Sequence, residues 1–146
     1  MTMTTKEVKE YLCRAKKLEK MIANKTAEVE QWKSVATGVT AQIGNERVQS
    51  SGSQQKMADA VGRYIDIENE IKKEINALYA ARKNIISMIE KLNAEEYDIL
   101  HKHYIQYMEF GEIADVLDRS YSLITTIHGK ALRNLIAILE KEGDVI

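Results

Sequence analysis

The stretch EIADVLDRSYSLITTIHGKALRNL, residues 112–135, decides the predicted fold of this chain. The pattern predicts two helices joined by a tight turn at Asp118-Arg119, with Ser120 placed to cap the second helix by accepting a backbone N–H bond. A short helix, a tight turn and a longer second helix are typical of a helix-turn-helix, which presents its second helix to the DNA major groove. Apolar residues at helical spacing predict the buried face of that second helix: Ile124, Ile127, Ala131 and Leu135.

The composition predicts an all-α protein. The chain has 146 residues, is 45% hydrophobic and contains no proline, which together favour helices around a sizeable core. No apolar run is long enough to cross a membrane, and the N-terminus lacks the apolar segment of a secretory signal. The single cysteine, Cys13, cannot form an intramolecular disulfide. We therefore expect a cytoplasmic protein without membrane contact.

The N-terminal part predicts a long antiparallel coiled-coil hairpin, with helices over 5–43 and 56–92 and a loop near 44–55 (GNERVQSSGSQQ). In both segments apolar residues recur at alternating steps of three and four, as coiled-coil seams do. The first seam comprises Tyr11, Ala15, Leu18, Ile22, Val29, Trp32, Ala36, Val39 and Ile43. The second comprises Met57, Val61, Tyr64, Ile71, Ile75, Leu78, Ile85, Ile89 and Leu92, with Glu68 and Arg82 in its two off-pattern slots.

The same seams could pair between chains instead, giving a four-helix dimer, and periodicity alone leaves both arrangements open. We expect a homo-oligomer, a dimer, formed through these N-terminal helices. The predicted domains are a helical hairpin over 1–93 and a helix-turn-helix domain over 94–146. The second begins with Asn93 as the cap of a helix over 94–107 and ends in a helix running from Tyr121 to about Leu139.

Charge is distributed unevenly between these two predicted domains. The whole chain carries a net charge of −1, but residues 1–93 hold 16 Lys and Arg against 12 Asp and Glu, a net +4. Residues 94–146 hold 5 against 10, a net −5. Because Lys and Arg contacts to phosphates dominate electrostatic DNA affinity, the acidic domain is not expected to bind DNA strongly by charge alone.

Catalysis has little support in the sequence. There is no glycine-rich phosphate loop and no nucleophile motif. His101 and His103 lie two residues apart on a predicted helix, so they face different directions and cannot jointly hold a metal. His128 is predicted to be a partly buried histidine in a hydrogen bond. We therefore expect no enzyme, no metal and no cofactor.

The outward face of the second motif helix supplies the candidate DNA contacts. Hydroxyl groups can bond to phosphates or base edges, and threonine methyl groups can contact thymine methyls. Arg119 and Lys130 are the best placed to hold phosphates. The complete set of candidate DNA-binding residues is Arg119, Ser120, Tyr121, Ser122, Thr125, Thr126, Lys130 and Arg133.

The segment EIADVLDRSYSLITTIHGKAL resembles region 4 of sigma-70-type factors. The whole chain resembles small phage and prophage proteins of low-GC Gram-positive bacteria, which pair a long helical N-terminal half with a sigma-region-4-like helix-turn-helix and are regarded as late-gene transcriptional regulators. Family members usually carry basic residues just after the serine, where this chain has Tyr121 and Ser122. The matching positions are Tyr104, Ile105, Ile113-Ala114, Ser120, Ile124, Ile127-His128 and Ala131-Leu132.

The resemblance implies a phage-type DNA-binding transcriptional regulator in a bacterial host cell. It would bind double-stranded DNA and read a promoter element in contact with host RNA polymerase. Two alternatives stay open. A small-terminase-like packaging protein also combines a helix-turn-helix with coiled-coil helices, and the acidic C-terminal half would suit a protein-interaction module such as an anti-host or anti-repressor factor.

Overall fold

The computed structural model describes residues 3–46 and 51–143, with side chains over 3–38 and 52–143. Throughout these ranges the regular structure is helical, so the predicted all-α class is confirmed. A single five-residue π-helical turn, His101–Ile105, continues the fourth helix. The α-helices are α1 Thr5–Leu12, α2 Arg14–Glu46, α3 Ser51–Ile89, α4 Ala94–Leu100, α5 Phe110–Leu117 and α6 Tyr121–Glu142.

The predicted loop over 44–55 was too long. α2 runs to Glu46 and α3 begins at Ser51, so only residues 47–50 of that segment lie outside the described residues. Glycine and serine weaken a helix by about 1 kcal/mol or less each but, unlike proline, do not prevent it. In the first turns of α3, the Gln55 amide also donates to the Asp59 carboxylate at 2.9 Å, a stabilising i, i+4 pair.

The predicted first helix is interrupted at Cys13, where α1 ends and α2 begins. Hydrogen bonding continues through this point: the Cys13 N–H donates to the Lys9 carbonyl at 2.9 Å, and the Cys13 carbonyl accepts from the Lys17 N–H at 3.0 Å. Thr4 caps α1 through its hydroxyl oxygen, which accepts the Glu7 N–H. The interruption therefore changes the local geometry without leaving these backbone groups unpaired.

Contacts divide the chain into two units, and the division differs from the predicted boundary at residue 93. One unit spans Leu18–Ala77, and the other combines the chain through Lys17 with the chain from Leu78 onward. α1 belongs to the second unit because it packs against α6. The Met3 N–H also donates to the Glu140 carboxylate at 3.1 Å.

Within Leu18–Ala77, the segments of α2 and α3 lie side by side and antiparallel. Lys25 forms ion pairs with Glu74 and, at 3.5 Å, with Glu70. Eight residues further along α2, Lys33 lies 3.8 Å from Glu68 and 5.6 Å from the ring centre of Tyr64. A later residue of α2 thus meets earlier residues of α3, which fixes the antiparallel direction.

The residues buried in this unit are not all those that the periodicity singled out. Val29, Ala60 and Ile67 are buried, but Ala60 and Ile67 lie outside the predicted seam of the second helix. Trp32, a predicted seam residue, is 36% exposed. The apolar stripe of α3 is wider than one seam, so periodicity could not tell which part of it faces α2. Coiled-coil packing of the pair stays a prediction.

In the other unit, α4, α5 and α6 enclose a compact core. Ile99, Ile113, Ala114 and Ile124 are buried together, and Phe110 and Ile127 are among the apolar side chains packed around them. Asn93 caps α4 by accepting the Glu96 N–H at 2.9 Å, as predicted. The buried face of α6 comprises Ile124, His128, Ala131, Leu132, Leu135 and Leu139.

The predicted helix over 94–107 ends earlier and differently. After Leu100 the chain forms the π-helical turn, in which the Gln106 N–H donates to the His101 carbonyl at 3.1 Å. Tyr107 then adopts a left-handed conformation (φ 61°), and the Met108 N–H reaches back to the Lys102 carbonyl at 2.9 Å. That bond reaches six residues back, one more than in the Schellman motif, and ends the helix around the left-handed Tyr107.

Local caps set the start of α5 and the end of α6. Phe110 and Gly111 make the first turn of α5, and the Glu112 carboxylate accepts the Glu109 N–H at 3.1 Å, which holds the start of the helix. The segment after Leu139, predicted to fray, stays helical to Glu142 and is closed by Gly143 at φ 75°. Among the described residues, no helix is long and apolar enough to span a membrane.

Candidate nucleic-acid interface

The turn between α5 and α6 has the predicted composition and a defined backbone path. Asp118 takes the left-handed conformation at φ 52° and ψ 51°, and the Arg119 N–H donates to the Ala114 carbonyl at 2.9 Å. Ser120 is extended, and its hydroxyl oxygen accepts the Leu123 N–H at 3.1 Å. The predicted cap is therefore confirmed, and α6 begins immediately after a three-residue turn.

Small and branched residues hold α5 against α6. Ala114 is buried beside Ile113 and Ile124, so its small side chain lets the two helices approach closely. Ile99 of α4 completes this cluster. The core thus fixes α6 from its inner side, while its opposite side carries polar residues.

The structure separates the candidate DNA-binding residues into a central line and two flanks. With 3.6 residues per turn, Ser122, Thr126 and Arg133 fall on one line of α6 opposite the buried Ile124. Tyr121 and Thr125 lie on one flank and Lys130 on the other. Arg119 and Ser120 lie in the preceding turn. All eight side chains are exposed except that of Thr125, which is half-buried.

Two of the predicted hydroxyl donors are already engaged. Both Thr125 and Thr126 donate their hydroxyl hydrogen to the Ser122 carbonyl, at 3.0 and 2.8 Å. Back-bonding of this kind is common for threonine in helices. Their methyl groups and oxygen lone pairs stay available, so these residues suit contact with apolar groups or hydrogen-bond donors.

Arg119 has a partner that the sequence did not reveal. Its Nη1 lies 3.4 Å from Oε1 of Glu95, in the first turn of α4, and both side chains are about half-exposed. An exposed pair of this kind contributes about 0–1 kcal/mol. It competes with any phosphate for the guanidinium, and only tertiary packing brings Glu95 to it, 24 residues away in sequence.

A buried polar cluster lies behind α6. The Tyr104 hydroxyl is 2.7 Å from Nε2 of His128. Burial, with smaller effects of His103 and Lys9, lowers the pKa of His128 to about 4, and burial raises the pKa of Tyr104 above its usual value. At neutral pH the hydrogen bond therefore joins a protonated phenol to an uncharged imidazole. This confirms the prediction of a buried, hydrogen-bonded histidine.

Aromatic rings extend the same cluster to α5. The ring of His103 stacks on Phe110 at 4.2 Å, and Phe110 lies 4.8 Å from His128. The Phe110 ring also meets Tyr121 edge-on at 6.5 Å, which links the cluster to the exposed start of α6. These contacts orient the first turn of α6 from the inside.

The two histidines of the π-helical turn each make a local hydrogen bond. His101 bonds through Nδ1 to the Gln106 amide at 3.0 Å, while His103 bonds through Nδ1 to the Met108 carbonyl at 2.8 Å. Among the residues that the structure describes, no group of three His, Cys, Asp or Glu side chains could hold a metal ion.

Sequence reasoning missed a buried carboxylate that ties α4 to α6. Glu96 is buried, and its Oε2 accepts from the Asn134 amide at 2.7 Å. It also missed the exposure of Val116, which is 61% accessible although it lies among apolar residues of α5. Helical spacing could have found the latter, since Val116 falls off the line of Ile113 and Leu117.

Comparisons with family models, with curated proteins and with solved structures find no significant match to this chain.

Proposed function

We propose that this protein is a phage-type transcriptional regulator whose α6 enters the DNA major groove and reads a promoter element, in the manner of sigma region 4. The observation that carries the proposal is the exposed line of Ser122, Thr126 and Arg133 on a helix held against α5 by a three-residue turn. Two helices joined in this way leave one face of the second helix open to a groove.

We assign some of the exposed residues to phosphate contacts and others to base contacts. Arg133, at the far end of the line, and Lys130, on its flank, supply positive charge for the sugar-phosphate backbone. Ser122 and the methyl group of Thr126 face base edges near the start of the helix, where recognition helices make their specific contacts. Tyr121, 60% exposed, stands beside them.

The acidic character of this region supports a partner in DNA binding. Residues 94–146 carry a net charge of −5, which opposes tight binding by charge alone. We propose that host RNA polymerase supplies the missing affinity, with the regulator adding contacts to a promoter that the polymerase also holds. Two weak contacts on one DNA multiply through effective concentration.

The first test is selection of DNA from fragments of the source genome by the full-length protein, with and without host RNA polymerase, across a salt series. Enrichment of one site with a steep salt dependence supports a DNA-reading regulator. No enrichment at low salt, with or without polymerase, would overturn the proposal.

The matched variants for this test lie on a single helix. Lys130→Ala should weaken binding about equally across sequences and lower the salt slope by about one unit. Lys141→Ala, in the last turn of α6, serves as the control, because it removes the same charge about 16 Å away along the helix. Equal effects of the two changes would point to diffuse charge rather than to a site.

A protein-interaction module is the second candidate, and one surface observation favours it. Val116 and Tyr121 are both more than half exposed, and Glu112, Asp115 and Asp118 are exposed along α5 and its turn. Exposed apolar groups beside acidic ones suit a basic, partly apolar protein surface. Val116→Ser would then abolish binding of polymerase while leaving any binding to DNA alone unchanged.

A further inference from the structure

The outer side of α3 carries a second stripe whose residues stay half-buried or exposed beside α2. Within Leu18–Ala77, Ala60 and Ile67 are buried, and helical spacing puts them on the side of α3 where Tyr64 and Glu74 meet α2. The second stripe lies about a third of a turn round α3 from Ala60 and Ile67. Its residues recur at steps of three or four and are half-buried or exposed, and Ile65 is 45% exposed. The outer stripe consists of Val61, Ile65, Glu68, Lys72 and Ile75.

The unit needs more burial than its two helices provide. Among its described side chains, the buried apolar ones are Val29, Ala60 and Ile67. Met21, Trp32 and Ile65 are large apolar residues that remain exposed. Small units bury too little surface to be stable alone, and helices with a wide apolar face pack that face against another layer. The outer stripe is the part of α3 available for that layer.

We propose that a second copy of this chain packs antiparallel along the outer stripe, about a two-fold axis beside residue 70 of α3. Residues equally far before and after residue 70 then face each other across the axis. Ile65 meets Ile75 of the second copy, and Glu68 meets its Lys72. The symmetry repeats both contacts, since a two-fold interface pairs each residue with its counterpart reciprocally.

The charges of the stripe favour this direction and register. Side by side in parallel, two copies would set Glu68 against Glu68 and Lys72 against Lys72, which is repulsive. The antiparallel register converts the same four charges into two attractive pairs. Glu68 can also bind Lys72 of the second copy, because its carboxylate lies 3.8 Å from the Lys33 ammonium and both side chains are about half-exposed. The resulting core is a four-helix layer containing α2 and α3 of each copy.

Charge reversal tests the register in the full-length protein. Sedimentation equilibrium should give a dimer whose dissociation constant rises about tenfold or more in Lys72→Glu, because all four charges at the axis become negative. The double change Glu68→Lys with Lys72→Glu should restore dimerisation. Lys73→Glu is the matched control, since the neighbouring exposed lysine lies on a different face of α3. Circular dichroism checks that each variant stays helical.

Disulfide trapping tests the geometry independently, in a Cys13→Ser background. Mixed Ile65→Cys and Ile75→Cys proteins should form a disulfide-linked pair. Each protein alone should stay reduced, because identical positions lie about 15 Å apart along the antiparallel helices and a disulfide needs Cβ atoms about 4 Å apart. Linkage within a single variant would instead reveal a parallel arrangement.

A wild-type protein that stays monomeric at all concentrations, or a dimer indifferent to Lys72→Glu, overturns the proposal. Linkage of Ile65→Cys to itself overturns the antiparallel register. None of these measurements includes DNA, and the inference does not rest on the proposed function. Failure here would therefore leave DNA reading by α6 untouched, and failure of DNA selection would leave the dimer untouched.

Discussion

The hydroxyl of Tyr104 lies 2.7 Å from Nε2 of His128, and both side chains are buried. The two residues come from the π-helical turn and from the middle of α6. Their hydrogen bond therefore joins the element before the helix-turn-helix to its second helix. Because α6 carries the candidate DNA-binding residues on its opposite face, this hydrogen bond helps to position those residues.

Removing the phenol hydroxyl should destabilise the fold without changing its surface. Tyr104→Phe leaves the buried Nε2 of His128 without its hydrogen-bond partner, and a buried unsatisfied polar group costs about 1–3 kcal/mol. Chemical denaturation should report that loss in the free energy of unfolding. Tyr121→Phe, which removes a hydroxyl from an exposed ring, is the control and should change stability by less than about 0.5 kcal/mol.

Stability should fall as the pH drops from 6.5 towards 4. The unfolded chain protonates His128 near its ordinary pKa of 6.5, whereas burial holds the folded pKa at about 4. Between these values the unfolded state binds more protons, so acid favours it, and the contribution is fully present above pH 6.5. We expect a loss on the order of 2 kcal/mol from this group, allowing for solvent screening.

The change His128→Gln isolates that contribution, because glutamine keeps a polar group but does not titrate. Unfolding free energies of both proteins, measured at intervals from pH 7 to pH 4, should converge as the pH falls. Parallel curves would show that other groups cause the acid sensitivity.

Glycine should be the most stable residue at position 118, where the turn requires a left-handed backbone. Asp118 has φ 52°, a conformation that costs most residues about 1 kcal/mol and glycine nothing. Asp118→Gly should therefore raise the unfolding free energy by about 0.5–1 kcal/mol, and Asp118→Val should lower it by at least 1 kcal/mol. Asp115→Gly, in the body of α5, should instead destabilise by about 0.5–1 kcal/mol.

Glu95 should restrain DNA binding through Arg119. The change Glu95→Gln weakens the hold on the guanidinium, so we expect DNA affinity to rise about two- to fivefold at low salt. Fluorescence anisotropy with the selected site measures this. If Arg119 carries the gain, the double change Glu95→Gln with Arg119→Ala should bind no better than Arg119→Ala alone. A gain of equal size in both backgrounds would assign it to the lost negative charge.

The sequence by itself determined the features that depend on residues within about one helical turn. Helix caps at Thr4, Asn93 and Ser120 were predictable because a cap oxygen bonds to an N–H three residues later. Composition and the absence of proline predicted the all-α class. Helical spacing predicted the burial of Ile124, Ala131 and Leu135 in α6, whereas Ile127 is only half-buried. The exposed face of α6, and with it the candidate site, followed from the same spacing.

The tertiary structure decided whatever depends on residues far apart in the chain. It grouped α1 with α6, brought Glu95 to Arg119, and seated Glu96 against Asn134. It also buried Ala60 and Ile67, which lie outside the predicted seam of α3, and left Trp32 of the predicted α2 seam 36% exposed. A helix with a wide apolar stripe can pack against a neighbour in several orientations, and the sequence pattern fits each of them equally well. The choice among them is made by the neighbouring helices, whose distances and angles no local pattern encodes.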